Sequence, residues 1–348
     1  MTLEVFLDDT PGELRAVVER NGRAEHILME RPDDAAQTRL GARSVARVRQ
    51  AAPGLKGVFL DLGAGLEAFM PVKGGESPPV GAKVVVEISA EAREAKAPVA
   101  RRLGPGEGEP RLLTAGPTLM ETLARLAPGV EPVTGREAIE AGLRAIEEAR
   151  TPATGPGVHI HVERTRAMIT VDVDLNAHDM GRARPRDETN RLALREAARL
   201  IGLNRWGGLV AIDLIGAGHD GKAIESAARA AFATAFAGGF VDPASIQYGP
   251  VNRFGVLMLS VPWSRTPLEE MLYADPAGRV PRPGQAAREA VRALRLALLS
   301  DTGRARVTLR AGTEVAALAA PWVAELGPRA HLKADDAMPR TDAVIETD

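Results

Sequence analysis

Two short apolar segments carry the acidic residues whose types and spacing could do chemistry. Asp172 and Asp174 interrupt the segment MITVDVDLN (168–176), and Asp213 lies in the segment GGLVAIDLIG (207–216). Both segments predict buried strands, and a buried carboxylate is costly unless a cation, a hydrogen-bond network or a proton compensates it. Strand alternation places Asp174 on the same face as Asp172.

One predicted helix connects the two segments, and this arrangement indicates a divalent-metal site. Consecutive strands of such a unit are often neighbours, so we expect Asp172 and Asp213 side by side near the strand ends, where open α/β sheets place their sites. A divalent cation would remove the repulsion between them, and oxygen ligands suit Mg²⁺ or Mn²⁺. The alternative is that each aspartate caps a turn or pairs with an arginine. Asp172 and Asp213 interrupt their apolar strands in the same way, and this shared exception to the pattern favours the metal site over the alternative.

The elements around the aspartates predict an α/β layer domain. Helical patterns at 187–203 and 222–236 alternate with apolar strands, of which the last is RFGVLMLSV (253–261). This alternation predicts a right-handed parallel unit. The continuous apolar runs predict strands that are buried on both faces.

Upstream, a series of short strands predicts a small β-barrel, at 43–50, 57–63, 67–72, 83–89 and 97–103. Gly and Pro separate the strands, and the common five-stranded barrel is the OB fold. Residues 39–103 hold eleven Lys and Arg against six Asp and Glu, a net charge of +5 in a chain whose formal net charge is −2. Phe59 and Phe69 lie on neighbouring predicted strands. They either stack on nucleic-acid bases, as aromatic residues of basic OB-fold faces do, or pack in the core.

Length and composition limit the remaining possibilities. The chain has 348 residues, so we expect two to four structural units. It has no cysteine, which excludes disulfides, thiolate zinc sites and cysteine nucleophiles. The N-terminus lacks the pattern of a signal peptide and no stretch approaches the length of a membrane span, so we expect a soluble, cytoplasmic protein.

Several motifs together resemble one known family. The segments ERTRAMITVDVDLNA, EAARLIGLNRWGGLVAIDLI and VNRFGVLMLS follow one another along the chain. In order and spacing they resemble the catalytic region of the ribonuclease E/G family, where a strand with IDVN or IDIN precedes a helix, then GGLIVIDFIDM, then SRFGLLEMSR. The segment GVFLDLGAGLEAFMPVK (57–73) is similar to the family's OB-fold segment. The resemblance covers nearly the whole chain.

The resemblance implies a multidomain fold of the α/β and α+β classes. A split RNase H-like piece would hold an inserted OB-fold β-barrel, followed by a DNase I-like α/β catalytic domain and a small C-terminal α+β domain. The implied boundaries are 1–39 plus 129–164 for the RNase H-like domain, 40–103 for the barrel, 104–128 for a connector that is a reduced 5′-sensor region, 165–262 for the catalytic domain, 263–285 for a linker without zinc-binding cysteines, and 286–348 for the C-terminal domain.

The resemblance also implies roles for individual residues. Asp172 and Asp213 match the aspartates that bind the catalytic Mg²⁺, for which Mn²⁺ is an alternative, and Arg253 matches an active-site arginine. The positions that touch substrate RNA are matched by Phe59, Phe69 and Lys96. The implied reaction is metal-dependent endonucleolytic cleavage of single-stranded RNA, in RNA processing or decay.

The chain departs from the family pattern at several positions. Asp174 replaces an asparagine and adds either a charge or a further ligand beside the proposed metal, and Gly216 replaces a second aspartate. Met258 and Val261 replace a glutamate and an arginine. The family's zinc-binding cysteine pair has no counterpart, so we expect neither zinc nor a zinc-linked oligomer, while a homodimer through another interface stays open. Leu113 stands where the 5′-sensor motif has an arginine, so we do not expect 5′-end sensing.

Three further features have a functional and an ordinary interpretation. His159 and His161 alternate onto one strand face and could bind a metal, although a solvated or RNA-facing strand is favoured. His178 could approach the site, but a loop histidine is the simpler interpretation. The basic segment RARPR (182–186) either contacts phosphates or is an ordinary surface loop.

Two functions compete. The retained Asp172, Asp213 and Arg253 favour a compact Mg²⁺-dependent endoribonuclease. The altered Met258 and Gly216 favour the alternative, a catalytically inactive RNA-binding protein of the same family. A purely structural α/β protein would leave the positive charge of the barrel unexplained.

Overall fold

The structure is a computed structural model of mixed α/β architecture. It describes residues 2–72, 74, 77–155, 158–175, 185–216, 220–275 and 280–347. The chain forms two compact units. The first unit contains residues 1–32, 123–151 and 268–348, and the second unit contains residues 33–122 and 152–267.

The described residues form strands and helices, and the first α-helix comes only after a long series of strands. The strands are β1 (Leu3–Asp8), β2 (Leu14–Arg20), β3 (Arg23–Glu30), β4 (Arg43–Ala52), β5 (Gly57–Gly63), β6 (Leu66–Pro71), β7 (Lys83–Ala90), β8 (Val99–Pro105), β9 (Arg111–Thr114), β10 (Ala153–Gly155), β11 (Val158–Arg164), β12 (Ile169–Leu175), β13 (Gly208–Asp213), β14 (Gln247–Val251), β15 (Val256–Val261), β16 (Val307–Ala311), β17 (Ala330–Ala334) and β18 (Ala343–Thr347). The helices are α1 (Leu119–Leu126), α2 (Arg136–Arg150), α3 (Arg186–Leu203), α4 (Gly221–Ala235), α5 (Leu268–Leu272), α6 (Pro283–Ser300) and α7 (Thr313–Glu325). No described helix is both long and apolar enough to cross a membrane.

The first unit contains two three-stranded sheets. In the antiparallel sheet β1-β2-β3, the β2–β3 hairpin turns at Asn21 and Gly22, which both have positive φ, and α2 packs on the sheet. In the sheet β17-β16-β18, the central strand pairs in parallel with β17 and antiparallel with β18. Helices α6 and α7 cover this second sheet with small aliphatic side chains, which fits a composition poor in aromatic residues.

A buried network of ion pairs joins β1, β2 and the β1–β2 turn to α6. Nε of Arg292 donates to Oδ2 of Asp8 at 2.5 Å, and Nη2 of Arg15 donates to Oε1 of Glu13 at 2.7 Å and to Oε1 of Glu289 at 2.6 Å. Burial alone would raise the pKa of Glu13, but nearby guanidinium groups outweigh it and lower that pKa to about 2. The network therefore fixes charged groups that would be costly to bury alone.

The second unit contains a closed five-stranded barrel, as the sequence predicts. The strands neighbour one another in the order β4-β5-β6-β8-β7 and back to β4, with β6 and β8 parallel where Phe69 pairs with Val99. This order is consistent with an OB fold. Alternate side chains of each strand fill the barrel, and Val58, Leu60 and Leu62 of β5 are all fully buried.

One barrel element was missing from the sequence-based prediction. Strand β9 pairs with the first residues of β4, ahead of those that pair with β5, in a segment predicted as part of a connector. Only four residues long, β9 has the sequence RLLT and no clear alternation, so its register comes from β4 and not from its own pattern.

The six-stranded sheet β10-β11-β12-β13-β15-β14, called the site sheet below, forms the rest of the second unit. Strands β12 and β13 are parallel, as predicted, but β15 runs antiparallel to β13. The prediction of a fully parallel unit was therefore wrong. The short strand β14 precedes β15, and the turn at 252–255 reverses the chain into a β14–β15 hairpin.

Helices α3 and α4 pack against each other and cover one face of the site sheet. Val171 of β12, Ile212 of β13 and Leu257 of β15 are buried on that face. The opposite face, called the open face below, carries exposed or half-buried side chains, such as Leu209 with 41% exposure. The predicted burial on both faces was wrong, because the second unit places helices on one face of this sheet.

Candidate functional site

Asp172 and Asp213 lie on adjacent strands of the site sheet at the same level. The parallel register pairs Val171 with Ile212, and each aspartate directly follows one of these paired residues. Neighbouring strands are about 4.8 Å apart, so the two carboxylates project from neighbouring backbone positions on the open face. Both residues are exposed. The structure thus brings together the two aspartates that the sequence singles out.

The aspartates are exposed in the structure, whereas the sequence pattern predicts that their carboxylates are buried. In β12, Ile169, Val171 and Val173 are buried, while Asp172 and Asp174 are exposed. The alternation of the strand therefore places the carboxylates in water, and burial does not force them to find a compensating partner. Asp174 does share the face of Asp172, as the sequence predicts.

Both candidate histidines also lie on the open face. The antiparallel register pairs His161 with Asp172 and His159 with Asp174. His161, Asp172 and Asp213 thus form one row across three strands, and His159 and Asp174 form the next row. Since adjacent same-face residues of a strand are about 6.6 Å apart, Asp174 lies one row further from Asp213 than Asp172 does.

The donor chemistry of the first row fits a hard divalent cation. Mg²⁺ usually binds through one or two carboxylates and keeps several waters and substrate oxygens as its other ligands. The Asp172 and Asp213 carboxylates provide such a pair. Among the residues that the structure describes, no group of three or more His, Asp or Glu side chains could hold a metal ion. The arrangement therefore fits a cation completed by water and phosphate, and a closed protein cage is absent from the described residues.

Arg253 lies in the β14–β15 turn at the edge of the sheet where β13 ends. Asp213 pairs with Val256, and the backbone N–H of Leu214 donates to the carbonyl of Gly255 at 3.3 Å. The Arg253 guanidinium lies over the ring of Phe254, 4.7 Å from its centroid. Within the described segments Arg253 has no carboxylate partner, so its charge is available beside the aspartates.

Asn190 is a positioning residue that the sequence argument missed. Its buried side chain donates from Nδ2 to the Ile215 carbonyl at 3.3 Å and accepts from the Ile215 backbone N–H at 3.0 Å. These two hydrogen bonds tie the segment after β13 to α3. A polar residue in the first turns of a helix gives no signal for such a role, because it has the ordinary pattern of a helix start.

Three residues that differ from the family pattern, Gly216, Met258 and Val261, lie in different surroundings in the structure. Gly216 has a φ of 88°, and a Cβ there would lie 2.5 Å from Cδ of Arg186. An aspartate at this position would be strained and would clash unless Arg186 moved. Met258 lies on the open face opposite Ala211, whereas Val261 is buried under the helices. Only the first of these two substitutions therefore changes the surface around the aspartates.

Phe59 and Phe69 form a paired platform on the outer face of the barrel. They are cross-strand partners, and their ring centroids are 5.4 Å apart at an interplanar angle of 60°. Both rings are half-buried and lie outside the barrel core. A Cβ on Gly57 would lie 2.4 Å from the Phe69 ring, so the absence of a side chain at Gly57 makes room for this ring.

Lys96 ends a tight turn between β7 and β8. Glu94 and Ala95 at the centre of the turn both have positive φ, and Arg93 and Lys96 exchange backbone hydrogen bonds across it. Nζ of Lys96 donates to Glu94 at 2.9 Å, and Arg164 of β11 contacts the same carboxylate. The hydrogen bond from Lys96 is the largest cause that lowers the pKa of Glu94. Lys96 is therefore exposed but already paired.

Carboxylates neutralise much of the positive charge on the barrel. Glu87 pairs with Arg43 and Arg101, and Glu109 pairs with Arg47 and Lys83. In the described part of residues 39–103, Lys56 and Arg102 have no ion-pair partner. The number of Lys and Arg residues in this segment thus overstates the positive charge that is free to meet phosphates.

Two contacts fix the β7–β8 turn region to the site sheet within the second unit. The Glu91 carboxylate accepts from the backbone N–H groups of Leu40 at 3.2 Å and Thr266 at 3.0 Å. The guanidinium groups of Arg93 and Arg164 both contact the Trp263 ring, at 4.6 and 5.2 Å from its centroid. Both contacts give the barrel a defined position relative to β11 and the end of β15.

Comparison with known proteins does not assign the chain to a family. No protein-family model matches it, and no curated protein matches its sequence. The relation to the ribonuclease E/G family therefore stays a prediction from the motifs, and so do the finer domain boundaries. His178 and residues 182–184 of the basic segment lie outside the described residues.

Proposed function

We propose that this protein is a metal-dependent endoribonuclease that cleaves single-stranded RNA, in RNA processing or decay in the cytoplasm. The observation that carries the proposal is the pair Asp172 and Asp213 on adjacent parallel strands, with Arg253 at the same sheet edge. This arrangement supports the residue roles that the motif resemblance implies. The organisation proposed with it is a split RNase H-like piece, an OB-fold barrel and a DNase I-like domain, of which the closed five-stranded barrel supports the OB-fold part.

Each residue has a defined task in this proposal. Asp172 and Asp213 would hold Mg²⁺ or Mn²⁺, with Asp174 as a further acidic group one row away. A bound divalent cation supplies Lewis acidity, which activates water and neutralises charge on the phosphate. Arg253 adds a fixed positive charge at the same edge, where it favours the extra negative charge of the transition state.

The barrel platform would hold the RNA strand. Phe59 and Phe69 present aromatic edges and faces on which bases stack, and stacking tolerates any base. Lys96 and the unpaired Lys56 and Arg102 would contact phosphates. Since many barrel cations already have carboxylate partners, we expect stacking to contribute more to binding than charge does. Phe69→Ala should then weaken RNA binding more than Arg102→Ala.

The central experiment follows cleavage of a fluorescent, single-stranded, A/U-rich RNA with Mg²⁺ and with EDTA. Asp213→Asn should abolish cleavage, because it removes one of the two metal-binding carboxylates. Asp336→Asn is the matched control, since Asp336 is an exposed aspartate of the first unit. Cleavage that survives both EDTA and Asp213→Asn would refute the metal assignment.

One observation favours the alternative, an inactive RNA-binding protein of the same family. The chain has no carboxylate at position 216, and the φ of 88° and the adjacent Arg186 side chain mean that one could be accommodated only with backbone strain and a shift of Arg186. RNA binding by the wild-type protein without cleavage in Mg²⁺ or Mn²⁺ would support this alternative. If the wild-type protein does not bind RNA at all, both functions are excluded.

A further inference from the structure

Phe254 has an aromatic side chain with no packing role in the described fold. It is 71% exposed, the largest value for any large apolar side chain among the described residues. An apolar ring in water is unfavourable, and burial against a flat partner would remove that cost. We propose that Phe254 stacks on one base of a single-stranded RNA next to the carboxylate pair, a role that rests on the function proposed above.

The turn that carries Phe254 is closed by three hydrogen bonds that Asn252 accepts. Oδ1 of Asn252 accepts from the backbone N–H of Phe254 at 2.8 Å and from that of Val256 at 3.1 Å. The backbone N–H of Gly255 donates to the Asn252 carbonyl at 3.1 Å, and Gly255 has a φ of 86°, which suits glycine. The backbone that carries the ring thus has a defined turn conformation, which lowers the cost of ordering this segment when RNA binds.

The surroundings of the ring indicate a base and its phosphate as the ligand. The Arg253 guanidinium lies over the ring, 4.7 Å from its centroid, and has no carboxylate partner in the described segments. Arg253 and Phe254 therefore present a cation and an aromatic surface together, which is the combination that holds single-stranded nucleic acids. Since Asp213 pairs with Val256, only two residues after Phe254, the stacked base would lie close to the phosphate that is cut.

This stacking site differs from the barrel platform. Phe59 and Phe69 are half-buried and pack against each other, whereas Phe254 is the single ring of a hairpin tip at the edge of the site sheet. The barrel would bind one part of the RNA strand, and Phe254 would determine which bond of the RNA lies at the aspartates. Substitution of Phe254 should therefore affect where RNA is cut as well as how tightly it is bound.

The test uses short single-stranded RNAs in which one 2-aminopurine or one abasic nucleotide is moved along the sequence. Binding is measured with Ca²⁺ in place of Mg²⁺, to wild type, Phe254→Ala, Phe254→Tyr and the control Leu143→Ala, an exposed leucine of α2. We expect Phe254→Ala to weaken binding by about 5- to 150-fold, the range for loss of one aromatic–base stack. Phe254→Tyr and Leu143→Ala should bind like wild type.

The position dependence separates stacking from a general loss of affinity. In the wild type, one 2-aminopurine position should be quenched on binding and the abasic nucleotide at that position should weaken binding. Both effects should disappear in Phe254→Ala. If wild type binds RNA and Phe254→Ala shows the same affinity and the same position dependence, the stacking role is refuted while the proposed function stands. Failure of wild type to bind any of the RNAs refutes the proposed function itself.

Discussion

The buried ion network of the first unit gives the sharpest prediction about stability. Arg292 is 1% exposed and contacts three carboxylates: Asp8 at 2.5 Å, Glu289 at 3.2 Å and Glu13 at 3.3 Å. Arg292→Met keeps most of the side-chain volume and removes the charge. We expect this variant to lose stability, because Asp8 and Glu13 stay buried after their shared partner is gone.

The remaining contacts set the size of the loss. Glu13 keeps ion pairs with Arg15 at 2.7 Å and Arg31 at 2.8 Å, whereas the nearest remaining cation of Asp8 is Arg295 at 3.7 Å. Asp8 therefore loses its close partner and Glu13 does not. Breaking one buried pair typically costs about 3–5 kcal/mol, and we expect Arg292→Met to lower the free energy of unfolding by about that amount.

Urea unfolding followed by circular dichroism measures the effect, with Arg136→Met as the control. Arg136 of α2 is exposed and pairs with Glu140 of the same helix at 2.7 Å, so its loss should leave the urea midpoint close to that of wild type. Equal midpoints for the two variants would show that the buried network contributes no more than a surface pair. That result would refute the reasoning.

The pH dependence of unfolding gives a second readout of the same network. Glu13 has a pKa lowered from 4.5 to about 2 in the folded protein, so its contribution is present above pH 4.5 and is lost as the pH falls towards 2. Without Arg292 the pKa of Glu13 should lie closer to its ordinary value. The difference in stability between wild type and Arg292→Met should therefore shrink as the pH is lowered through this window.

Two further predictions concern the second unit. Asn190→Ala should lower cleavage more than RNA binding, because the segment after Asp213 loses both hydrogen bonds to α3. The affinity for RNA and the rate of single-turnover cleavage measure the two effects. Equal losses of affinity and rate would contradict this prediction. Glu91→Gln should flatten the fall in stability below pH 4.5. Burial raises the pKa of Glu91, but Arg265 and two backbone N–H groups outweigh this effect and lower the pKa below its ordinary value. If the free energy of unfolding in urea falls as steeply with acid in the variant as in wild type, this prediction is wrong.

The sequence predicted the barrel well because its strands alternate clearly. Val58, Leu60 and Leu62 point inward, while Phe59 and Asp61 do not, and Gly and Pro mark the ends of the strands. The sequence could not decide whether Phe59 and Phe69 pack in the core. That outcome depends on the register of β5 against β6 and on the space above Gly57, which are tertiary features.

The site sheet was harder to predict because apolar residues occupy both of its faces. Leu209 and Ala211 lie on the open face, so GLVAID appears continuous in sequence although only Val210 and Ile212 are buried. The direction of β15 was missed for a different reason. Its hairpin partner β14 has the sequence QYGPV, whose Gly and Pro hide a strand that exists through pairing with β15.

The same alternation accounts for the carboxylates in MITVDVDLN. Ile169, Val171 and Val173 bury their side chains under the helices, and this burial sets which residues of β12 face the core and which face water. Asp172 is exposed and stays solvated, so the fold does not depend on a cation to compensate it. What the fold adds is proximity: the parallel register with β13 holds Asp213 at the same level, on a face that no described helix covers. This pair of carboxylates, which the fold does not need for packing, is the basis of the proposed metal site, and Arg253 at the same edge suits the negatively charged substrate of that proposal.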